Sequence, residues 1–261
     1  MNARSALFDL YGDHLSDLGG AAPVSALVRM LATLGVTAPA VRTAISRMVR
    51  QRWLRPVATE QGPGYAATAQ ASRRLAEAAT RIYRRGIAPW DGSWHLVLVD
   101  PAPDRPTRAR VRAGLGYLGY ASLGDGTWIG PRESDQIDDV LAGLPSRRFR
   151  AAFEDDDGVL ASRVWDLGAL AAAYRQWVGE AQSLVGDCNG SGSSAEAFRV
   201  RSKLVHEWRK FLFSDPNLPR ELLPREWPGD RAAAFFDAEA ARLMPAARSY
   251  VEACLHGNGD A

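Results

Sequence analysis

The stretch that most constrains this chain is Thr37–Arg52, TAPAVRTAISRMVRQR, whose spacing predicts a helix with two unlike faces. At about 100° per residue, Val41, Ala44, Ile45, Met48 and Val49 fall on one side. Thr43, Ser46, Arg47 and Arg50 fall opposite, with Arg42 at the border. Thr37 stands at the N-cap position and Pro39 in the first turn, where amide donors lack intrahelical acceptors and proline is tolerated. The outer face carries arginine, serine and threonine without an acid, unlike the mixed Glu/Lys surface of an ordinary solvated helix. The pattern predicts a helix that buries one side in a core and offers the other to a polyanion.

The flanking residues place that helix in a larger unit. Leu7, Leu10, Tyr11 and Leu15 mark a first helix over Arg4–Leu15, which the Leu18–Pro23 segment LGGAAP breaks. Val24, Leu27, Val28, Leu31 and Leu34 mark a second, ended by Gly35, so the second and third helices form a helix-turn-helix with a minimal connection. Trp53–Val57 and Tyr65–Thr68 read as two short strands joined by ATEQGPG. Three helices and a hairpin make a winged helix, with Gln61 and Gly62 at a wing tip able to reach the DNA backbone. A connector helix follows over 69–85, with Arg84 and Arg85 at its end and Gly86 stopping it. Residues 1–86 hold 12 Lys+Arg against 5 Asp+Glu, whereas the whole chain is formally only +2, so positive charge concentrates at this end.

From Ser93 the pattern changes. WHLVLVD reads as a buried strand, Thr107–Leu118 as a helix, Tyr120–Leu123 and Thr127–Gly130 as a hairpin around Gly-Asp-Gly, Ser134–Ala142 as a helix and Phe149–Glu154 as a strand. That β-α-β-β-α-β order is ferredoxin-like. The remainder reads as helices over Trp165–Val185, Ala195–Phe213 and about Asp230–Leu255, with a proline-rich loop through Pro216, Pro219, Pro224 and Pro228. The expected fold is α+β in four segments: a winged helix over 1–68, a connector over 69–89, a ferredoxin-like domain over 90–160 and a helical domain over 161–261.

Several function classes are poorly supplied with residues. Two cysteines, Cys188 and Cys254, exclude a disulfide framework or a Cys-rich zinc module. With no signal-peptide pattern and no long apolar run, a cytoplasmic location and no membrane partner are expected. GLGYLG at 114–119 fits G-x-G-x-x-G, but lies at a helix end before a hairpin rather than between a strand and a helix, so close packing is expected there and no dinucleotide cofactor. His206-Glu207 begins a zinc-protease motif, yet position 210 is Lys. The four histidines show no ligand spacing, and the acids of Glu154–Asp157 before Gly158 read as a solvated turn, so no metal is expected. Asp100, after the first strand of the ferredoxin-like segment, supports an alternative, a metal-dependent nuclease. Arg105, Arg108, Arg110 and Arg112 crowd a helix start, where amide donors and guanidinium groups suit phosphate.

Taken together, ARSALFDLYGDHL at the start, AVRTAISRMVRQRWL, GDGTWIGPR, HEWRKFLFSDPNLPRELLP and the following WPG resemble the PaaX family of bacterial transcriptional regulators. The resemblance implies a winged helix, a central domain similar to the CRISPR endoribonuclease fold, and a helical C-terminal domain. It also implies a non-enzymatic homodimeric repressor of a phenylacetate-type catabolic operon, bound to an inverted-repeat operator and released by an acyl-CoA thioester such as phenylacetyl-CoA. The carry-over to DNA-binding residues covers Arg42, Thr43, Ser46, Arg47 and Arg50 as members of the recognition-helix segment, with Gln51 beside them. Given such an effector, Trp128, Trp165 and Trp208 are candidates to pack its aryl group, and Arg105, Arg108, Arg110 and Arg132 to meet coenzyme A phosphates. Arg52 stands where the family pattern QGWL has glycine, at the turn into the wing.

Overall fold

A computed structural model describes residues 1–83, 89–186 and 192–257. The expected helix end at Arg84, Arg85 and Gly86 and the loop residue Cys188 lie outside the described residues. The chain groups into two compact units, one of Met1–Arg85, Gln176–Arg209 and Ala232–Ala261, the other of Gly86–Arg175 and Lys210–Arg231.

The first unit opens with α1 (Ala3–Asp9), capped by the Asn2 side chain, which accepts from the Ser5 N–H at 2.9 Å. The amphipathic stretch then widens into a π turn over Leu10–Leu15 and tightens into a 3-10 turn over Ser16–Leu18. There follow β1 (Ala21–Pro23), α2 (Val24–Ala32), α3 (Ala38–Arg50), β2 (Leu54–Thr59), β3 (Gly62–Ala67) and α4 (Ala69–Ile82). The strands form an antiparallel sheet in the order β1-β3-β2. This is the element order of a winged helix. Its hairpin is tighter than the sequence suggests, because the register runs to Thr59↔Gly62 and leaves only Glu60 and Gln61 as the loop. The Gly-Pro-Gly residues lie in the strand instead of the turn. Pro63 can do so because it lies beyond Gly64, the last residue paired with β1, so its missing N–H is not needed on that side. Gly64 is required by the third strand, since a Cβ there would sit 2.5 Å from the Ala22 carbonyl oxygen.

The second unit contains β4 (Trp94–Val99), α5 (Arg105–Tyr117), β5 (Ala121–Gly124), β6 (Thr127–Gly130), α6 (Ile137–Leu141) and β7 (Ser146–Ala151). The antiparallel sheet order β5-β6-β4-β7 sets the first and last strands side by side, as a ferredoxin-like fold does. Val97, Val111, Leu115, Tyr120, Ile137 and Leu141 form the core where the helices cover the sheet. Gly114, inside GLGYLG, permits that closeness: a Cβ would lie 2.6 Å from Val140 Cγ1. The last strand begins three residues before Phe149, since β4 pairs with Ser146, Arg147 and Arg148 as well.

Of the acids before Gly158, Glu154 and Asp155 are exposed in a bend as a solvated turn requires, but Asp156 and Asp157 have structural roles. Asp156 caps a further helix, α7 (Asp157–Val164), by accepting from the Val159 N–H, and Asp157 accepts from Trp94 Nε1 at 2.6 Å. The remaining elements are α8 (Leu167–Gly186), α9 (Ser194–Trp208), a 3-10 turn over Arg209–Phe213, another over Arg220–Leu222, and α10 (Pro228–Leu255). Where the sequence reading has one helical domain over 161–261, the structure divides these residues between the two units. Phe198, Ala247, Val251 and Cys254 join the same core as the buried faces of α1, α2 and α3.

Candidate nucleic-acid interface

Helix α3 is placed by its apolar face. Val41, Ala44, Ile45 and Met48 are buried in the core of the first unit, as the 3.6-residue period requires. Arg42, Thr43, Ser46, Arg47, Arg50 and Gln51 are all exposed. Thr37 has the extended backbone of an N-cap, but its side chain makes no capping bond, and the helix start rests on Pro39 and on the Thr37 carbonyl accepting from Val41 N–H at 3.0 Å. None of Arg42, Arg47 and Arg50 has an ion pair or side-chain hydrogen bond among the described residues. Three guanidinium groups on one exposed face, without a carboxylate among them, create a local positive potential that a polyanion would neutralise.

The turn after α3 leads directly into the wing. Arg52 adopts φ 58°, the left-handed region that costs a residue with a Cβ about 1 kcal/mol, so a turn that favours glycine is made here by arginine. At the wing tip Gln61 is exposed and Gly62 has φ 107°. Gln61 also comes near the end of α10, its Oε1 lying 3.5 Å from where a Cβ on Gly257 would be. Arg55, on β2, is exposed and likewise without an intramolecular partner among the described residues. It escaped the sequence reading because a single arginine in a strand has no periodic signature.

Behind this surface lies a buried polar network, also missed from sequence. Arg201 on α9, with its side chain 2% exposed, pairs with Asp13 of the π turn, 6% exposed, at 2.7 Å. The Tyr83 hydroxyl donates to Asp13 at 2.5 Å, and Arg201 also donates to the Ala240 carbonyl of α10. One turn away, Asp9 meets His206 at 2.7 Å and Arg209 at 2.5 Å. Burial raises the Asp9 carboxyl above its ordinary value despite those partners, because desolvation outweighs their attraction. Burial also pushes His14 down to about 4, so it is neutral at physiological pH, with Nε2 at 3.2 Å from the Ser202 hydroxyl. The four-residue spacing of Asp9 and Asp13, inside the buried stripe of an amphipathic segment, was the available signal.

The residues nominated for an effector are dispersed. Arg105 and Arg108 are exposed in the first turn of α5, behind Asp104, which caps the helix. Arg110 is engaged with the Val140 carbonyl at 2.8 Å. Trp128 packs against the central core and Trp165 stacks on Trp94 at 5.9 Å. Trp208 belongs to the first unit, where it stacks on Phe236 at 4.8 Å and donates to the Ile82 carbonyl. Arg132 lines a pocket of about 220 Å³ with Trp90, His95, Glu133 and Arg150. His95 is buried there, its Nδ1 2.5 Å from the Tyr120 hydroxyl, and burial lowers its pKa. Asp100 pairs with Arg147 at 3.2 Å, and among the described residues no group of three or more His, Cys, Asp or Glu side chains could hold a metal ion. Nor is any described helix long and apolar enough to cross a membrane.

Comparison with known proteins agrees with this architecture segment by segment. Residues 2–71 match the PaaX-like protein family, residues 87–159 the PaaX protein central Cas2-like domain, and residues 165–253 the PaaX-like protein C-terminal domain. The chain is 28% identical to the transcriptional repressor PaaX of Escherichia coli (strain K12), over 96% of this chain and 83% of that protein. It also superposes on the solved structure of the uncharacterized protein Rv0674 from Mycobacterium tuberculosis, with a TM-score of 0.63 and 27% identity over 96% of this chain and 99% of that one. The match extends through both compact units, and the chain belongs to the PaaX family, whose members are transcriptional regulators rather than enzymes.

Proposed function

We propose that this chain is a DNA-binding transcriptional repressor that acts as a homodimer on an inverted-repeat operator and is released by an acyl-CoA thioester, phenylacetyl-CoA or a close analogue. The observation that carries the proposal is the outer face of α3, where Arg42, Arg47 and Arg50 are exposed and, among the described residues, unpaired beside Thr43 and Ser46. Arg47 and Arg50 are assigned to bidentate contacts with guanine edges in the major groove. Thr43 and Ser46 contact bases or phosphates, while Arg42, Gln51, Gln61 and Gly62 anchor the duplex backbone. In a two-fold dimer the paired recognition helices meet half-sites about 34 Å apart or a multiple of that. Similarity to the E. coli repressor supports control of phenylacetate-type catabolic genes.

An effector releases DNA only if it binds the DNA-incompetent state more tightly. Its phosphates are assigned to Arg105, Arg108, Arg110 and Arg132, and its aryl group to contacts with Trp128 or Trp165, whereas Trp208 is buried in the first unit and falls out of the assignment. The test is selection of bound sequences from a random duplex pool, followed by anisotropy on the selected site with and without phenylacetyl-CoA, and light scattering for the mass in solution. The expected result is a two-fold symmetric site, a dimer, and loss of the complex on adding the thioester. Equal affinity for selected and random duplexes would overturn sequence-specific repression, and complexes that survive every acyl-CoA tried would overturn the effector.

A further inference from the structure

We propose that Arg52 is a binding site for a backbone phosphate of duplex DNA, and that the chain holds an arginine in a left-handed conformation to place that cation at the root of the wing. The inference rests on the DNA-binding reading above. Helix α3 ends with the Arg52 N–H donating to the Val49 carbonyl and the Trp53 N–H to the Met48 carbonyl, each at 2.9 Å. This pair of bonds satisfies the last helical carbonyls and demands a left-handed residue between them, a position that favours glycine because it has no Cβ. Arg52 occupies it with φ 58°.

The surroundings fix this backbone without help from the Arg52 side chain. Thr68 Oγ1 donates to the Arg52 carbonyl at 2.8 Å, and the Thr68 N–H to the Trp53 carbonyl at 3.0 Å. The Trp53 ring is held edge-on by Phe8 at 4.5 Å and lies under the Arg74 guanidinium at 5.6 Å. The Arg52 side chain itself is exposed and makes no hydrogen bond, ion pair or ring contact among the described residues. It therefore returns no hydrogen bond or ion pair to the described residues in exchange for the strain at its Cβ. Favourable interaction with the helix C-terminus does not account for it, since Arg47 and Arg50 already occupy the last turn of α3 in unstrained helical backbone.

A strained residue with no polar partner among the described residues points to an external one. The chemistry is that of a phosphodiester: a guanidinium fork matches two phosphate oxygens, and Arg50 and Arg55 on either side are also exposed and, among the described residues, unpaired. Lying past the helix end and before the wing strand, Arg52 positions the duplex rather than reading its sequence.

The test uses the full chain and a random-sequence duplex about three helical turns long, titrated over a range of salt. Arg52→Gly relieves the strain, so its thermal midpoint is expected to equal or exceed the parent's. Its affinity is expected to fall about 3- to 10-fold at low salt, and the slope of log K against log salt to shrink by about one. Arg52→Lys keeps the charge and should keep most of the slope. Unchanged affinity and slope in Arg52→Gly overturn the inference, as does a loss of binding accompanied by a lower thermal midpoint, which would make the role structural. If the parent binds no duplex at all, the DNA-binding reading falls and takes this inference with it; if the parent binds and Arg52→Gly matches it, only this inference falls.

Discussion

Two arginine-rich stretches of this chain, the outer face of α3 and the strand β7, have similar composition and opposite electrostatic situations. On β7 each arginine has an acid: Arg147 pairs with Asp100, Arg148 with Asp138 and Arg150 with Asp91. On α3, Arg42, Arg47 and Arg50 have none among the described residues. The cause lies partly in where the acids of the first unit go. Asp9 and Asp13, two of the five acids in residues 1–86, turn inward to His206, Arg209 and Arg201 on or next to α9. Acids from the N-terminal segment thus pair with Arg201 and Arg209, and the charge of α3 is left without a carboxylate partner among the described residues. What distinguishes an interface from a basic surface is the absence of internal pairing, which a count of arginines does not reveal.

The difference can be broken most severely at the inward-facing acids. Asp13→Ala leaves Arg201 buried without its counterion and should lower the unfolding free energy by about 3–5 kcal/mol in urea denaturation; a change below about 1 kcal/mol would mean the pair does not anchor α9. The next effect is one of pH. His14 titrates at about 4 in the folded chain because burial disfavours its charged form. An unfolded histidine binds its proton near pH 6.5, so this contribution is fully present above about pH 6.5 and is lost as pH falls toward about 4, on the order of 3 kcal/mol in all. Asp9, raised by burial, acts with the opposite sign, its contribution declining as pH rises through its folded value. Urea denaturation at about pH 5 and pH 7.5 should show a smaller pH dependence in His14→Gln than in the parent.

Smaller effects separate binding from stability. Arg47→Ala and Arg50→Ala should each weaken operator binding by about 1–3 kcal/mol, while unfolding shifts by no more than about 0.5 kcal/mol, because both side chains are exposed and neither makes a hydrogen bond or ion pair among the described residues. Arg148→Gln should do the reverse on a smaller scale, with a stability loss below about 1 kcal/mol and unchanged DNA affinity by anisotropy. An Arg148→Gln protein that binds DNA as poorly as Arg47→Ala would erase the distinction between the two stretches.

Much of the fold was legible because its signals are local. The period of Val41, Ala44, Ile45 and Met48 marks α3 and its outward face, and WHLVLV with the Gly-Asp-Gly hairpin marks β4, β5 and β6 of the second unit. Strand β1 was not legible, since three residues of Ala-Ala-Pro carry no alternation and exist as a strand only through pairing with β3. Gly62, Pro63 and Gly64 misled by composition, being turn formers by type and strand residues by register. Asp156 and Asp157 hid α7 because a capping acid and a half-buried acceptor look like solvated charge when their partners are unknown. The network of Asp13 with Arg201 joins residues 188 apart, beyond any window of sequence pattern, and the division of the C-terminal helices between two units was invisible for the same reason. On α3, the residue types and their exposure were legible, whereas the lack of internal partners needed every neighbouring side chain to be placed.

The central claim is that α3, and not the equally basic β7, meets DNA. The direct measurement is anisotropy on a selected duplex with two triple variants, one converting Arg42, Arg47 and Arg50 to alanine and the other converting Arg147, Arg148 and Arg150 to glutamine. The first should lose at least about 30-fold in affinity, the product of two lost guanine contacts at the low end of their usual strength, and the second should stay within about twofold of the parent. Equal losses in both, or a loss confined to the β7 variant, would contradict the account.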